Sequence, residues 1–166
     1  MARAVMLSIR PKWVEMIASG KKTIEVRKTR PKLETPFRCY IYETRGFERV
    51  GNENLNCVVG GNGRGAVIGE FVCDSIFPLS FYASDASFFD TVPPLPVPGT
   101  CLTDKEIVDY LGNGKTGYGW HISDLKIYDR PKYLTEFIGL TKTRFGYAER
   151  VLRHPPQSYY FVEELP

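Results

Sequence analysis

The sequence predicts an α+β fold, a small mixed β-barrel of about six strands with two or three short helices. Segments in which apolar residues recur at a period of two outnumber segments with helical spacing. Their order is strand, helix, three strands, helix, two strands, which lacks the regular strand–helix alternation of a parallel doubly wound sheet. With 166 residues, no internal repeat and no sustained shift in composition, the chain has the size of one domain, residues 1–166.

Ala4 to Ile9 alternates, with Val5, Leu7 and Ile9 on one side and Met6, Ser8 and Arg10 on the other, the pattern of a half-buried strand. Pro11 suits the first turn of a helix, and Trp13, Met16 and Ile17 follow at helical spacing until Ser19-Gly20 stops it. Lys22 to Lys28 alternates again, placing Ile24 and Val26 opposite Thr23, Glu25 and Arg27. Arg38 to Glu43 reads as a third strand and Gly65 to Phe77 as a fourth, rich in Val, Ile and Phe.

Between these two, residues 51–65 are dense in glycine and asparagine and predict a mobile polar loop. Residues 79–99 carry Pro93-Pro94-Leu95-Pro96-Val97-Pro98 and predict a surface loop, since proline can continue neither a helix nor a central strand. Thr103 opens a second helix, with Glu106 placed for a capping box and Gly112 to end it. Tyr118 to Tyr128 predicts a fifth strand bent near Asp124, and Ser158 to Glu164 a sixth after Pro155-Pro156. Residues 131–153 carry no pattern that assigns them.

The composition is that of an ordinary globular protein, 43% hydrophobic and 25% charged, with no apolar run of the roughly 18 residues a membrane helix needs. No secretory pattern opens the chain, so a soluble, cytoplasmic protein is expected, with no membrane partner. Cys39, Cys57, Cys73 and Cys101 lie too far apart for a zinc knuckle. Neither a metal nor a cofactor is expected. Charge is unevenly spread: Arg10 to Arg38 holds nine Lys or Arg against three Glu, a balance of +6, whereas Glu70 to Asp109 holds seven acids against Lys105, a balance of −6. A basic face suited to an anionic ligand follows.

The most informative segment is Gly20-Lys21-Lys22-Thr23-Ile24-Glu25-Val26-Arg27. The glycine ends the helix, Lys22 stands at the strand entrance, and Glu25 and Arg27 project from one strand face. The carboxylate can hold the guanidinium so that its planar fork faces a phosphate or base edge, while lysine supplies a mobile point charge. Spacing alone allows an exposed Glu–Arg pair of little energetic weight as well.

This segment resembles the G-x-K-x-x-E-x-R signature of the ASCH domain family, with Gly20, Lys22, Glu25 and Arg27 at the fixed positions. Leu7 to Trp13 resembles the family's strand-to-helix entry. Tyr118 to Leu125, Tyr128 to Pro131 and Pro155 to Tyr159 resemble later strands of its bacterial and phage members. The resemblance implies a PUA-like β-barrel with a cleft beside the first helix, and a role in binding RNA or a nucleotide-like ligand. Arg10, Lys12, Lys22 and Arg27 would then contact the anion and Glu25 would orient Arg27. Tyr118 and Trp120 are candidates for base stacking, although they share a strand face with Ile122 as core residues would, and His121 is a polar candidate on the opposite face.

Some relatives are acetylcytidine amidohydrolases with a lysine base and a threonine nucleophile. Lys22 matches the lysine. Glu25 takes the threonine position, where a carboxylate gives a less favourable acyl intermediate than an activated hydroxyl, and Thr23, as the immediate neighbour of Lys22, faces the opposite side of the strand from it. The alternative reading is a hydrolase with Lys22 as base and Glu25 as acid or nucleophile, or a ribonuclease with Lys22 or His121 as general acid or base. A third is a protein-interaction module built on the loop from Phe81 to Pro98.

Overall fold

A computed structural model describes residues 2–50, 57–82 and 95–166. In chain order it contains β1 (Arg3–Ile9), α1 (Pro11–Ala18), β2 (Ile24–Arg27) and β3 (Phe37–Glu43). The short β4 (Phe47–Val50) and β5 (Cys57–Gly60) precede the long β6 (Ala66–Leu79), and β7 (Pro96–Val97) and β8 (Leu102–Thr103) precede α2 (Asp104–Leu111). The long β9 (Gly117–Lys132) is followed by a 3-10 turn (Leu134–Glu136), β10 (Ile138–Thr143), β11 (Gly146–Val151) and β12 (Tyr159–Glu163). The chain divides into two compact units, Met1–Glu15, Arg38–Phe71 and Leu125–Pro166 forming the first, and Met16–Phe37 and Val72–Asp124 the second. Strands β6 and β9 each contribute to both.

In the first unit the hydrogen-bonded order is β11-β10-β12-β1-β3-β6-β9. β1 runs antiparallel to β12, from Arg3↔Glu163 to Leu7↔Tyr159, and parallel to β3, from Val5↔Cys39 to Ile9↔Glu43. A parallel pair needs a long crossover, which α1 and β2 supply. β1 is not half-buried as its alternation suggests: Ala4, Val5, Met6 and Leu7 are all wholly buried. The strand is central, and Tyr40, Val67, Phe137 and Val162 cover the face that Ala4 and Met6 present.

The C-terminal segment is tied to this core by polar contacts. Arg38 Nε donates to Glu164 Oε1 at 2.8 Å, Leu165 N donates to Tyr40 Oη at 2.7 Å, and Arg38 also pairs with Glu70. Tyr128 Oη donates to the other Glu70 oxygen at 2.5 Å, and burial together with that carboxylate pushes its phenol well above the ordinary range.

In the second unit β9 lies between β6 and β2. β2 pairs with β9 antiparallel, from Ile24↔His121 to Arg27↔Tyr118. Ile17, Val26, Phe37, Ile107 and Trp120 are buried here, with Phe37 set edge-on to Trp120 at 5.8 Å between centroids. α2 begins as its sequence requires: Glu106 N donates to Thr103 Oγ1 at 3.2 Å, and Thr103 N donates to Glu106 Oε2 at 2.8 Å.

Two expectations are corrected. The described residues form twelve strand segments rather than about six, and the sheet is not closed into a barrel, because β11 pairs only with β10 and β2 only with β9. The excess strands arise where hydrophobic alternation is weak. β4 and β5 pair from Phe47↔Gly60 to Val50↔Cys57, β4 just before and β5 within what reads as a glycine-rich loop at 51–65, of which residues 51–56 lie outside the described residues. β7 and β8 are two-residue strands at the end of the proline-rich segment, of which residues 83–94 lie outside the described residues. β10 and β11 fill the unassigned stretch as a hairpin that exposes every residue of β11, so no buried face marks it.

The bend expected near Asp124 is present, since Asp124 sits at φ 47 in the middle of β9. A left-handed conformation costs an ordinary L-residue about 1–2 kcal/mol and a β-branched one more. Asp124→Gly is therefore expected to be more stable than Asp124→Val by about 1–2 kcal/mol in urea denaturation, the reverse of the usual strand preference. Equal stability, or Val the better, would show that the bend imposes no such cost.

Candidate functional site

The signature residues are set by the chain's exit from α1. Gly20, at φ 74, donates its N–H to Ile17 O at 2.9 Å, and Lys22 N donates to Met16 O at 2.9 Å. The helix is thus closed by a left-handed glycine, and the next residues enter β2 with Lys22 turned inward. On β2, Glu25 and Arg27 share a face, and the register with β9 puts Trp120 and Tyr118 opposite them on that same face. Ile24, Val26, Gly119 and His121 occupy the other.

Lys22, Glu25 and Arg27 form a buried ion triad. Their exposures are 2%, 7% and 6%. Glu25 Oε2 lies 3.4 Å from Lys22 Nζ, and Oε1 lies 3.0 Å from Arg27 Nε, so one carboxylate is shared by two cations. The sequence alone admitted an exposed pair; the structure withdraws all three groups from water, where charge–charge terms are larger and desolvation is costly.

Lys22 has a further partner that sequence reasoning missed. Its Nζ donates to Thr100 O at 2.7 Å. Thr100 closes the turn Val97-Pro98-Gly99-Thr100, whose Thr100 N donates to Val97 O at 3.2 Å, with Gly99 at φ 76. Gly99 O accepts from Thr23 N at 2.8 Å and Ile24 N at 2.9 Å, which pins the turn against β2. A Cβ on Gly99 would stand 2.8 Å from Thr23 Oγ1 and 2.9 Å from Ile24 Cδ1, so glycine is required by space as well as by φ. Proline followed by glycine at the middle of a four-residue turn is a readable signal for this geometry.

Burial lowers the Lys22 pKa from its ordinary value, and the Glu25 carboxylate opposes that shift without cancelling it. Cys101 also acts electrostatically on Lys22; it is exposed and adopts φ 58. Thr23 is exposed beside the buried Lys22.

The other sequence candidates do not join the triad. Trp120 is wholly buried against Phe37 and serves the core, while Tyr118 is half-buried on the triad's face. His121 is on the opposite face, its Nδ1 2.7 Å from Asp74 Oδ1, and that contact holds the Asp74 carboxyl below the usual range. Arg10 and Lys12 are exposed and belong to the first unit, where Lys12 Nζ lies 4.6 Å from the Trp13 ring centroid. Among the described residues no three His, Cys, Asp or Glu side chains are grouped to hold a metal, and no helix is long and apolar enough to cross a membrane.

The ASCH domain family model matches residues 7–84, the stretch that contains the triad. Over that stretch the chain resembles the ASCH family. Three crystal structures of the ASCH protein from Zymomonas mobilis resemble it: the unmutated protein at TM-score 0.58, a tyrosine-to-phenylalanine mutant at 0.59 and a serine-to-alanine mutant at 0.57. Each is 20% identical and aligns over 94% of this chain, covering 87% of the first mutant and 85% of the other two structures. At that identity the likeness shows the fold alone, and it extends well beyond the residues of the domain match. No curated protein sequence matches the chain.

The depressed Lys22 pKa has a consequence for stability. Between the folded value and the ordinary 10.5, the unfolded chain holds more protons than the folded one, so this lysine's contribution rises with pH across that window. Wild type should therefore gain stability relative to Lys22→Met as pH is raised toward 10.5. A lysine whose charge is favoured by the fold would lose stability there, and that outcome would show that Glu25 outweighs burial.

Proposed function

We propose that the protein binds RNA or a nucleotide-like ligand through an anionic group that approaches Lys22 and Arg27, with Glu25 holding the Arg27 guanidinium. The observation that carries the reading is the buried triad: two cations share one carboxylate, with less than a tenth of each residue exposed. Cations of this kind take a phosphate or an electron-rich base edge, and arginine offers it a planar, bidentate fork. Arg10 and Lys12, exposed in the first unit, act as ordinary phosphate contacts for a polymer. The ASCH domain match is consistent with this ligand class, and RNA binding is plausible for that family.

A second reading is favoured by one observation. Burial moves the Lys22 pKa in the direction that turns a lysine into a general base, so a hydrolase acting on an acylated nucleoside, or a ribonuclease, would use Lys22 to take a proton with Glu25 beside it. In that reading Lys22→Ala abolishes turnover in a protein that remains folded by circular dichroism.

The binding reading is tested by titrating single-stranded RNA into wild type, Lys12→Ala, Arg27→Lys and Glu25→Gln at several salt concentrations. With about three to five phosphates neutralised, log affinity should fall with log salt at a slope of about −2 to −4, and Lys12→Ala should flatten it by about 0.7. Arg27→Lys keeps the charge and loses the fork, so it should weaken binding without changing the slope. Glu25→Gln adds positive potential; weaker binding supports an orienting role and stronger binding supports mere repulsion. Identical curves for all four proteins would remove β2 from the binding site.

A further inference from the structure

The β10–β11 hairpin presents a combination that the triad does not explain. Every residue of β11 is exposed, and Phe145 at the tip is 94% exposed, with Val151 at 69% and Ile138 at 41%. Residues 138–153 hold Lys142, Arg144, Arg150 and Arg153 against Glu149, a balance of +3. β11 is a terminal strand, pairing with β10 from Ile138↔Val151 to Thr143↔Gly146.

The register sorts these side chains. Lys142 faces Tyr147, and Leu140 pairs with both Glu149 and Phe161, so Lys142, Tyr147 and Phe161 share one face of the ribbon. There the rings form a row, with Tyr147 6.0 Å from Phe161 and Phe161 5.8 Å from Tyr159. Arg3 lies at the end of the row, its guanidinium 4.8 Å from the Tyr147 ring and its Nη1 donating to Tyr147 Oη at 2.8 Å. On the other face Arg150 stands 4.2 Å over Tyr160.

Basic residues on a terminal strand have a plain structural use, since they discourage edge-to-edge aggregation. That use needs only charge. It leaves unexplained an aromatic tip held in water and a row of partly exposed rings flanked by cations, because exposed apolar surface gains nothing in the free protein. Aromatic faces interleaved with Lys and Arg match single-stranded RNA, whose bases stack on rings while its phosphates meet the cations.

We propose that the β10–β11 hairpin and the adjoining face of β12 form a second contact surface, for single-stranded RNA. Bases stack on Phe145 and along the Tyr147–Phe161 row, and Lys142 and Arg144 hold the phosphates. The inference goes beyond the triad: it uses different residues, in the other compact unit, and it makes a polymer rather than a free nucleotide the ligand of this surface.

The test is fluorescence anisotropy with a labelled single-stranded oligoribonucleotide of about 12 nucleotides, a length within the range one such surface covers. Phe145→Ala should weaken binding about five-fold or more, the low end of what one lost stacking partner costs. The double variant Lys142→Ala/Arg144→Ala should flatten the salt slope by about 1.4. Both variants should bind a 5′-mononucleotide as wild type does. Phe145 is at an exposed tip, so its loss leaves the fold intact, which thermal unfolding checks. Oligomer affinities unchanged in both variants, or no binding of the oligomer by wild type at low salt, would overturn the proposal. So would variants that lose binding only to phosphatidylserine vesicles and keep it to RNA. Loss of mononucleotide binding in Lys22→Met reports on the triad alone, so the two readings fail separately.

Discussion

Glu25 must satisfy two cations at once in a place nearly without water, and much of the local structure follows from that requirement. A carboxylate and an ammonium withdrawn from solvent are tolerated only when their remaining hydrogen-bonding capacity is met. The Thr100 carbonyl meets part of it for Lys22, at 2.7 Å. That carbonyl is in place because Gly99 can adopt φ 76 and pack against Thr23 and Ile24 without a Cβ. Lys22 in turn reaches Glu25 because the left-handed Gly20 closes α1 and reverses the chain into β2. Two glycines, one turn and one strand thus converge on a single carboxylate.

The β2–β9 ladder has two chemical faces for the same reason. A strand alternates, so placing Glu25 and Arg27 on one side puts Ile24 and Val26 on the other, and the register carries Trp120 to the first side and His121 to the second. Trp120 fills the core beside the triad and limits water there, while His121 pairs with Asp74 at the surface. An imidazole on the wrong face of a strand cannot serve the Lys22 amine, which is why the geometry favours Glu25 as its neighbour in either reading of the function.

Features governed by local rules were legible from the sequence. Thr103 and Glu106 form the capping box that their spacing requires, Asp124 bends β9, and Glu25 pairs with Arg27 on one strand face. Features that depend on contacts far along the chain were not. Thr100 lies 78 residues from Lys22, and nothing in the spacing connects them. The burial of the β1 face that carries Ala4 and Met6 depends on Phe137 and Val162, far along the chain. The β10–β11 hairpin buries too little to leave an alternating pattern, so its strands are invisible to a reading based on hydrophobic period.

The central claim is that an anionic group of a nucleotide reaches the Lys22–Glu25–Arg27 cluster. Nitrogen-15 NMR of the lysine Nζ and arginine Nε resonances tests it most directly, following Lys22 and Arg27 during titration with a 5′-mononucleotide. Because a nearby anion favours the charged amine, the account predicts that both resonances shift together and that the Lys22 pKa rises from its depressed value as the nucleotide saturates. Resonances and pKa unchanged under a nucleotide that binds elsewhere on the protein would contradict it.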